Sequence, residues 1–222
     1  MVGRSAKQPR SARVSFPEPI DWEYPGKVAE IILEIENPYH RGLFAVLYGT
    51  GGRVSEVCSL RKKDVYLSDG YIVFRLRTVK RKDRPPRELP LPVDREREAW
   101  LIPPIMRYLA PNGMLQRTDE WLFPSPVNPK KPVSTRMVQL LTKKYFGPDV
   151  HPHLLRHTRA THLVKHFGFD VHLLTRWMGW TDITMAMTYV HLRWKDFVQH
   201  ASAYRVTTKK RMGLIPRAPT SL

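Results

Sequence analysis

The sequence predicts a mainly α protein with a small antiparallel β-hairpin or sheet, the α+β class. Three observations predict it. Apolar residues recur at helical spacing along most of the chain, and one short segment alternates with the period of a strand. N-cap residues and stopping glycines bracket successive stretches of the second half.

Residues 1–25 are rich in Pro, Ser and Arg without a period and read as a basic arm or linker. Val28, Ile31, Ile32 and Ile35 then mark one apolar face of a helix, and residues 42–48 form a second, more buried one. Gly49-Thr50-Gly51-Gly52-Arg53 is a turn leading into a helix with Val54, Val57 and Leu60 on its inner side. Residues 71–77 alternate as a strand with Ile72, Phe74 and Leu76 on one face. A basic turn containing Pro85 and Pro86 follows, and residues 88–91 return as a short edge-type strand.

A helix beginning over 95–100 is interrupted or restarted by Pro103 and Pro104, and 112–132 is loop-rich. Ser134 is the N-cap of a helix reaching Tyr145, with Gly147 just past its end. Pro152 suits the first turn of a helix through His166 that Gly168 stops. Asp170 caps a short helix to Met178, Asp182 caps another carrying Tyr189, and 194–204 forms a last amphipathic helix. No internal repeat is present. One domain over 26–208 is expected, between the arm and a basic tail over 209–222.

Composition narrows the function classes. The chain of 222 residues carries 37 Lys and Arg against 20 Asp and Glu, a formal charge of +17. Its 42% hydrophobic content, with six Trp and eight Phe, suffices for a packed core. No apolar run approaches the ~18 residues of a membrane span. The N-terminal residues lead into no apolar segment, so no secretory leader is expected, and a cytoplasmic location is. One cysteine, Cys58, excludes an internal disulfide framework and a Cys-rich zinc site. The surplus charge clusters: Arg75, Arg77, Lys80, Arg81, Lys82, Arg84 and Arg87 face one acid, Asp83. Such clustering points to a polyanion, bound with counterion release and a steep dependence on salt. A basic amphipathic helix on a membrane surface fits less well, because the run alternates like strand and turn.

Taken singly, the chemistry-bearing motifs each have an ordinary reading. Arg53 with Glu56 three residues later is also a charge pair at a helix start. His153 and Arg156, on one face of a helix, are also a solvated basic face. Tyr189 is also a core tyrosine. His151, His153, His157, His162 and His166 include pairs at i, i+4, but Leu154 and Leu163 stand where a metalloprotease helix needs Glu. No metal or cofactor is expected.

Their order carries more. An Arg after a Gly turn, a Lys in a basic hairpin, His-x-x-Arg on a helix, Gly-Trp, then a late Tyr resembles the tyrosine recombinase (phage integrase) family. The pieces that carry it are Thr50-Gly51-Gly52-Arg53-Val54-Ser55-Glu56-Val57, the run from Pro152-His153-Leu154-Leu155-Arg156-His157 to Leu163, and Met178-Gly179-Trp180-Thr181-Asp182 leading to Thr188-Tyr189-Val190-His191. The first two look closest to the Xer and integrase branch. The resemblance implies a catalytic domain that cuts one DNA strand through a tyrosine hydroxyl. The products are a 3′-phosphotyrosine and a free 5′-hydroxyl, and a partner strand's hydroxyl reverses the step.

On this resemblance Tyr189 is the nucleophile, and Arg53 and Arg156 grip the scissile phosphate. His153 donates to a nonbridging oxygen or accepts a proton near the tyrosine. Lys80 is the general acid for the leaving 5′-oxygen, with Lys82 competing because the usual Gly-Lys-Gly reads Val79-Lys80-Arg81-Lys82 here. Trp180 stands where most members have a second histidine, and donates through its indole N–H as in a minority. Glu56 matches a family acid of orienting role.

The expected partners are double-stranded DNA and further copies of the chain in a tetrameric synapse, with residues 193–208 contacting a neighbour. Members usually carry a separate N-terminal clamp domain, where this sequence has only the irregular 1–25. Two other readings share these residues: a type IB topoisomerase-like nicking-closing enzyme, and a non-catalytic DNA-binding accessory factor.

Overall fold

The computed structural model describes residues 18–78, 85–93, 98–110 and 118–190. Lys80 and Lys82, the segment 193–208 and the tail over 209–222 lie outside the described residues.

Helix α1 (Gly26–Glu34) buries Val28, Ala29 and Ile32, with Ile35 just past its end. Helix α2 (Pro38–Thr50) starts with Pro38 at its first position and the Asn37 side chain accepting from the His40 N–H. Every residue from Gly42 to Thr50 is buried, which makes α2 the axis of the core. It ends at Gly51, whose φ of 60° is a left-handed conformation that suits glycine. Helix α3 (Val54–Cys58) follows at once, and a 3₁₀ turn over Lys62–Asp64 leads into the sheet.

The sheet has three antiparallel strands, β1 (Val65–Ser68), β2 (Tyr71–Leu76) and β3 (Arg87–Pro92), in that order. The sequence reading expected the β2–β3 pair and passed over β1. Its signal is Asp69-Gly70: both residues have positive φ, the geometry of a two-residue hairpin turn that pairs Ser68 with Tyr71. Ile72, Phe74 and Leu76 face the core, and Ile72 and Phe74 lie opposite Leu91 and Leu89.

Helix α4 (Ile102–Leu109) holds Pro103 and Pro104 in its first turn, so the prolines start this helix. Helix α5 (Thr135–Phe146) is capped by Ser134, which accepts from the Met137 N–H. Helix α6 (Pro152–Phe167) is capped by the His151 ring at one end and by left-handed Gly168 at the other. Helix α7 (Val171–Met178) is capped by Asp170 and ended by left-handed Gly179. Helix α8 (Thr184–Met187) is one turn long, with Asp182 accepting from the Thr184 N–H and hydroxyl. Tyr189 was expected on that helix and sits two residues beyond it.

The main core joins α1, α2, α4, the sheet and α5 to the start of α6. A smaller one, built on Ala160, Leu163, Leu174, Met178 and Ala186, joins α6, α7 and α8. Of residues 1–25, the described part 18–25 lies along α6. The Thr158 hydroxyl accepts from the Ile20 N–H, and His162 and His166 reach the carbonyls of Asp21 and Trp22. Among the described residues no helix is long and apolar enough to cross a membrane.

Candidate active site

The seam between the two cores gathers the charged side chains. Arg53 is the extended residue between α2 and α3, and Glu56 lies in the first turn of α3. The Glu56 carboxylate accepts from the Arg53 backbone N–H at 2.9 Å and from Arg53 Nη1 at 3.0 Å. It is 1% exposed, whereas the Arg53 side chain is 40% exposed. The same carboxylate takes two further bonds from Arg87 on β3: Nη1 to Oε1 at 3.2 Å and Nη2 to Oε2 at 2.9 Å. Burial opposes ionisation of Glu56, but the Arg87 fork and the Arg53 contacts outweigh it and hold the carboxyl below its ordinary range.

Helices α6 and α7 cap the end of α2. A helix leaves its last carbonyls unpaired and its C-terminus partially negative, so donors and cations are favoured there. Arg159 Nε donates to the Gly49 carbonyl at 3.1 Å, Trp177 Nε1 to Thr50 at 3.0 Å, and Arg156 Nη1 to Gly51 at 2.5 Å. Arg156 Nη2 donates in turn to the Met178 carbonyl at 2.6 Å. Arg156 is 3% exposed. Burial, helped by the charges of Arg53 and Arg87, pulls its guanidinium down to about 9, which leaves it charged at neutral pH.

Tyr189 packs against this group. Its ring stacks on Trp180 at 5.3 Å between centroids and 21° between planes, and meets His157 edge-on at 4.8 Å. The Arg156 guanidinium carbon is 5.7 Å from the Trp180 ring centre. Burial pushes the Tyr189 phenol up to about 12, opposed by the Arg156 charge. His153 stands at the exposed rim, one turn before Arg156. Desolvation and the charges of Arg156, His157, His151 and Arg53 all hold its imidazole below its usual value.

Of the residues expected at a site, Arg53, Arg156, Trp180 and Tyr189 come together, with His153 at the edge and Glu56 beneath Arg53. Lys80 and Lys82 lie outside the described residues. Arg87 was missed: the sequence reading counted it only in the basic run. The signal is strand alternation, because Arg87, Leu89 and Leu91 share the inward face of β3. Among the described residues no three His, Cys, Asp or Glu side chains are grouped so as to hold a metal ion. His151 caps α6, and both ring nitrogens of His162 are engaged, by Tyr48 and Asp21.

The model of the phage integrase family matches residues 25–195, most of the chain. The chain belongs to the phage integrase family. A tyrosine recombinase XerC of Serratia marcescens is 28% identical over 209 residues, covering 90% of this chain and 62% of that protein. The chain spans between about half and two-thirds of the length of the curated relatives first matched. Among solved structures, the XerA recombinase superposes with a TM-score of 0.63 at 22% identity, over 91% of this chain and 67% of that one. The Tn1549 transposon integrase, solved in complex with a circular intermediate DNA, gives a TM-score of 0.61 at 20% identity, over 84% and 67%. These two likenesses establish the fold as that of the recombinases.

Proposed function

We propose that this chain is the strand-cleaving and rejoining part of a site-specific DNA recombinase, with Tyr189 as its nucleophile. The observation that carries this reading is the placement of Tyr189, stacked on Trp180 beside the buried Arg156 and in the charge field of that guanidinium. Glu56 is paired with the Arg87 fork, which leaves the charges of Arg53 and Arg156 in surplus at the seam and suited to a phosphodiester.

The Tyr189 Oη attacks phosphorus, a tyrosyl ester forms to the 3′-phosphate, and the bond to the 5′-oxygen breaks. Burial pushes the phenol up to about 12, so it is protonated at neutral pH and its proton must be accepted for Oη to attack. Neutral His153, or a group near it, is suited to accept that proton or to donate to a nonbridging oxygen. Arg53 and Arg156 offer forked donors where charge accumulates in the pentacoordinate state, an effect worth about 10²–10³ in rate per donor. The Trp180 indole N–H is an additional donor. The leaving 5′-oxygen takes a proton from Lys80, with Lys82 the competitor. A 5′-hydroxyl of a partner strand then runs the steps backward, exchanging one phosphodiester for another.

Exchange between two duplexes requires several copies, and we assign the inter-copy contact to residues 193–208 and the substrate to double-stranded DNA. The test uses nicked suicide duplexes from a randomised-sequence pool, incubated with the protein and denatured in SDS. Wild type is expected to give a covalent complex containing an enriched sequence, and Tyr189→Phe none. No complex with wild type defeats the enzyme reading and leaves an accessory DNA-binding factor, whereas equal amounts with Tyr189→Phe defeat Tyr189 as the nucleophile. Relaxation of plasmids with no enriched site would instead indicate a nicking-closing enzyme.

A further inference from the structure

The Glu56 carboxylate is shared between two arginines from different parts of the fold. Arg53 comes from the turn after α2, and Arg87 from β3, the strand that returns from the basic hairpin turn. Arg87 fastens a third element as well: its Nε donates to the carbonyl of Trp177 at 3.1 Å, at the end of α7. Directly beyond is Gly179, left-handed with φ of 63°, where an added Cβ would collide with the Arg87 guanidinium. The next residue is Trp180. A single guanidinium, 12% exposed, thus joins the anchor of Arg53 to the turn that presents Trp180.

Resting on the strand-cleavage reading, we infer that Arg87 is a positioning residue for the reaction, acting through Glu56 on Arg53 and through the Trp177 carbonyl on Trp180. Arg53 is 40% exposed, and Glu56 is the one side-chain hydrogen-bond partner described for its guanidinium. Its direction therefore depends on how Glu56 is held. Without Arg87, the carboxylate keeps only contacts from its own turn and Thr78, at 3.5 Å, and is free to tilt. A fork is required, because one planar group must reach both carboxylate oxygens and a backbone carbonyl together. A lysine at this position can reach one of the three.

The experiment measures single-turnover formation of the covalent complex, and separately duplex affinity, on the same nicked duplex pool. Arg87→Met is expected to slow cleavage about 10²-fold, the cost of misplacing a reacting group by about 1 Å. Affinity should stay within about threefold, since the lost contact is not with DNA. Arg87→Lys should recover about tenfold of the rate, keeping the charge without the fork. Glu56→Gln should also cost about 10²-fold, and the double variant no more than about 10²-fold, where independent roles would give about 10⁴.

A wild-type rate for Arg87→Met, a parallel loss of affinity, or multiplicative losses in the double variant overturns the inference. Should Arg87→Met melt below the assay temperature, the comparison moves to the Glu56→Gln background, where no unpaired buried carboxylate remains. There Arg87→Met must add less than about threefold, by the same coupling argument. A wild type that forms no covalent complex defeats the cleavage reading and this inference together; the other outcomes bear on Arg87 alone.

Discussion

Arg156 Nη1 donates to the Gly51 carbonyl at 2.5 Å, so the second arginine of the site is fixed to the turn that carries the first. Gly51 lies two residues before Arg53, and its carbonyl points into the seam because the residue is left-handed. Backbone carbonyls therefore hold the Arg156 guanidinium beside the turn that carries Arg53, with α6 fastened to the end of α2. On the proposed strand-cleavage reading, these carbonyls hold a cation ready where the phosphate would arrive.

Arg156→Lys should separate this architecture from charge alone. Lysine is a point charge and cannot reach the Gly51 and Met178 carbonyls at once. Cleavage is expected to fall about 10²–10³-fold, with a stability loss of about 1–3 kcal/mol from the unpaired buried carbonyl. Arg53→Lys, at a half-exposed side chain, should lose comparable rate and less than about 1 kcal/mol of stability. Suicide-substrate kinetics and urea melts measure both; equal stability losses would contradict the asymmetry.

Gly51→Ala should act on the same link through the backbone. Its φ of 60° disfavours a side chain, and an added Cβ would press Met178 Sδ at 3.2 Å and Arg159 Cγ at 3.4 Å. The expected cost is about 2–3 kcal/mol, combining a left-handed penalty of about 1–2 kcal/mol with crowding. Gly168→Ala is the control: φ is 69° but nothing lies within 4 Å, so the backbone penalty stands alone. Equal melting temperatures for the two variants would show that the crowding is relieved at no cost.

Much of this was legible in the sequence, and the reasons are local. Ser134, Asp170 and Gly168 mark their helix ends because capping depends on residues within one turn. Arg53, His153, Arg156, Trp180 and Tyr189 were singled out by the family resemblance that their motifs carry. What escaped was long-range. Nothing in residue type says that Arg159, Trp177 and Arg156 each take one carbonyl at the end of α2, since a backbone acceptor has no signature. Arg87 was hidden by its neighbours: in a run of cations, the inward one looks like the rest until the strand phase is extended by a residue. Tyr189 was placed on a helix because Asp182 is a credible cap, yet the helix it serves lasts one turn.

Glu98 and Arg159 form a buried ion pair at 3.0 Å, with neither side chain more than 3% exposed. Burial opposes the Arg159 charge, but Glu98 outweighs it and holds the guanidinium above its ordinary value. Glu98→Ala would leave that charge buried without its counterion, and is expected to cost about 3–5 kcal/mol. Replacing both, Glu98→Leu with Arg159→Met, should recover most of the loss, because an apolar pair carries no desolvation penalty. Denaturant melts of the three proteins decide it; a double variant as unstable as Glu98→Ala would mean that the Arg159 bond to Gly49 is the larger contribution.

His162 gives the fold an acid limit whose sign follows from its partners. Nε2 faces the Asp21 carbonyl at 2.8 Å, which only accepts, so Nε2 carries the proton and Nδ1 accepts from the Tyr48 hydroxyl at 2.5 Å. That arrangement fits the neutral ring. Burial, with the charges of Arg159 and His166, pulls the imidazole from 6.5 to about 4 against the opposing pull of Asp21. A base depressed on folding binds more protons when unfolded. Its contribution is therefore complete above pH 6.5 and is lost as pH falls toward 4, by at most about 3 kcal/mol. Glu56 and Asp21, both held below their ordinary values, add their losses at lower pH. Melting temperature should fall between pH 6.5 and 4.5 in the wild type, and with a shallower slope in His162→Gln, whose amide can serve both partners without titrating. Because other histidines contribute to the total, the difference between the two slopes is the quantity to measure, and parallel slopes would assign the acid limit elsewhere.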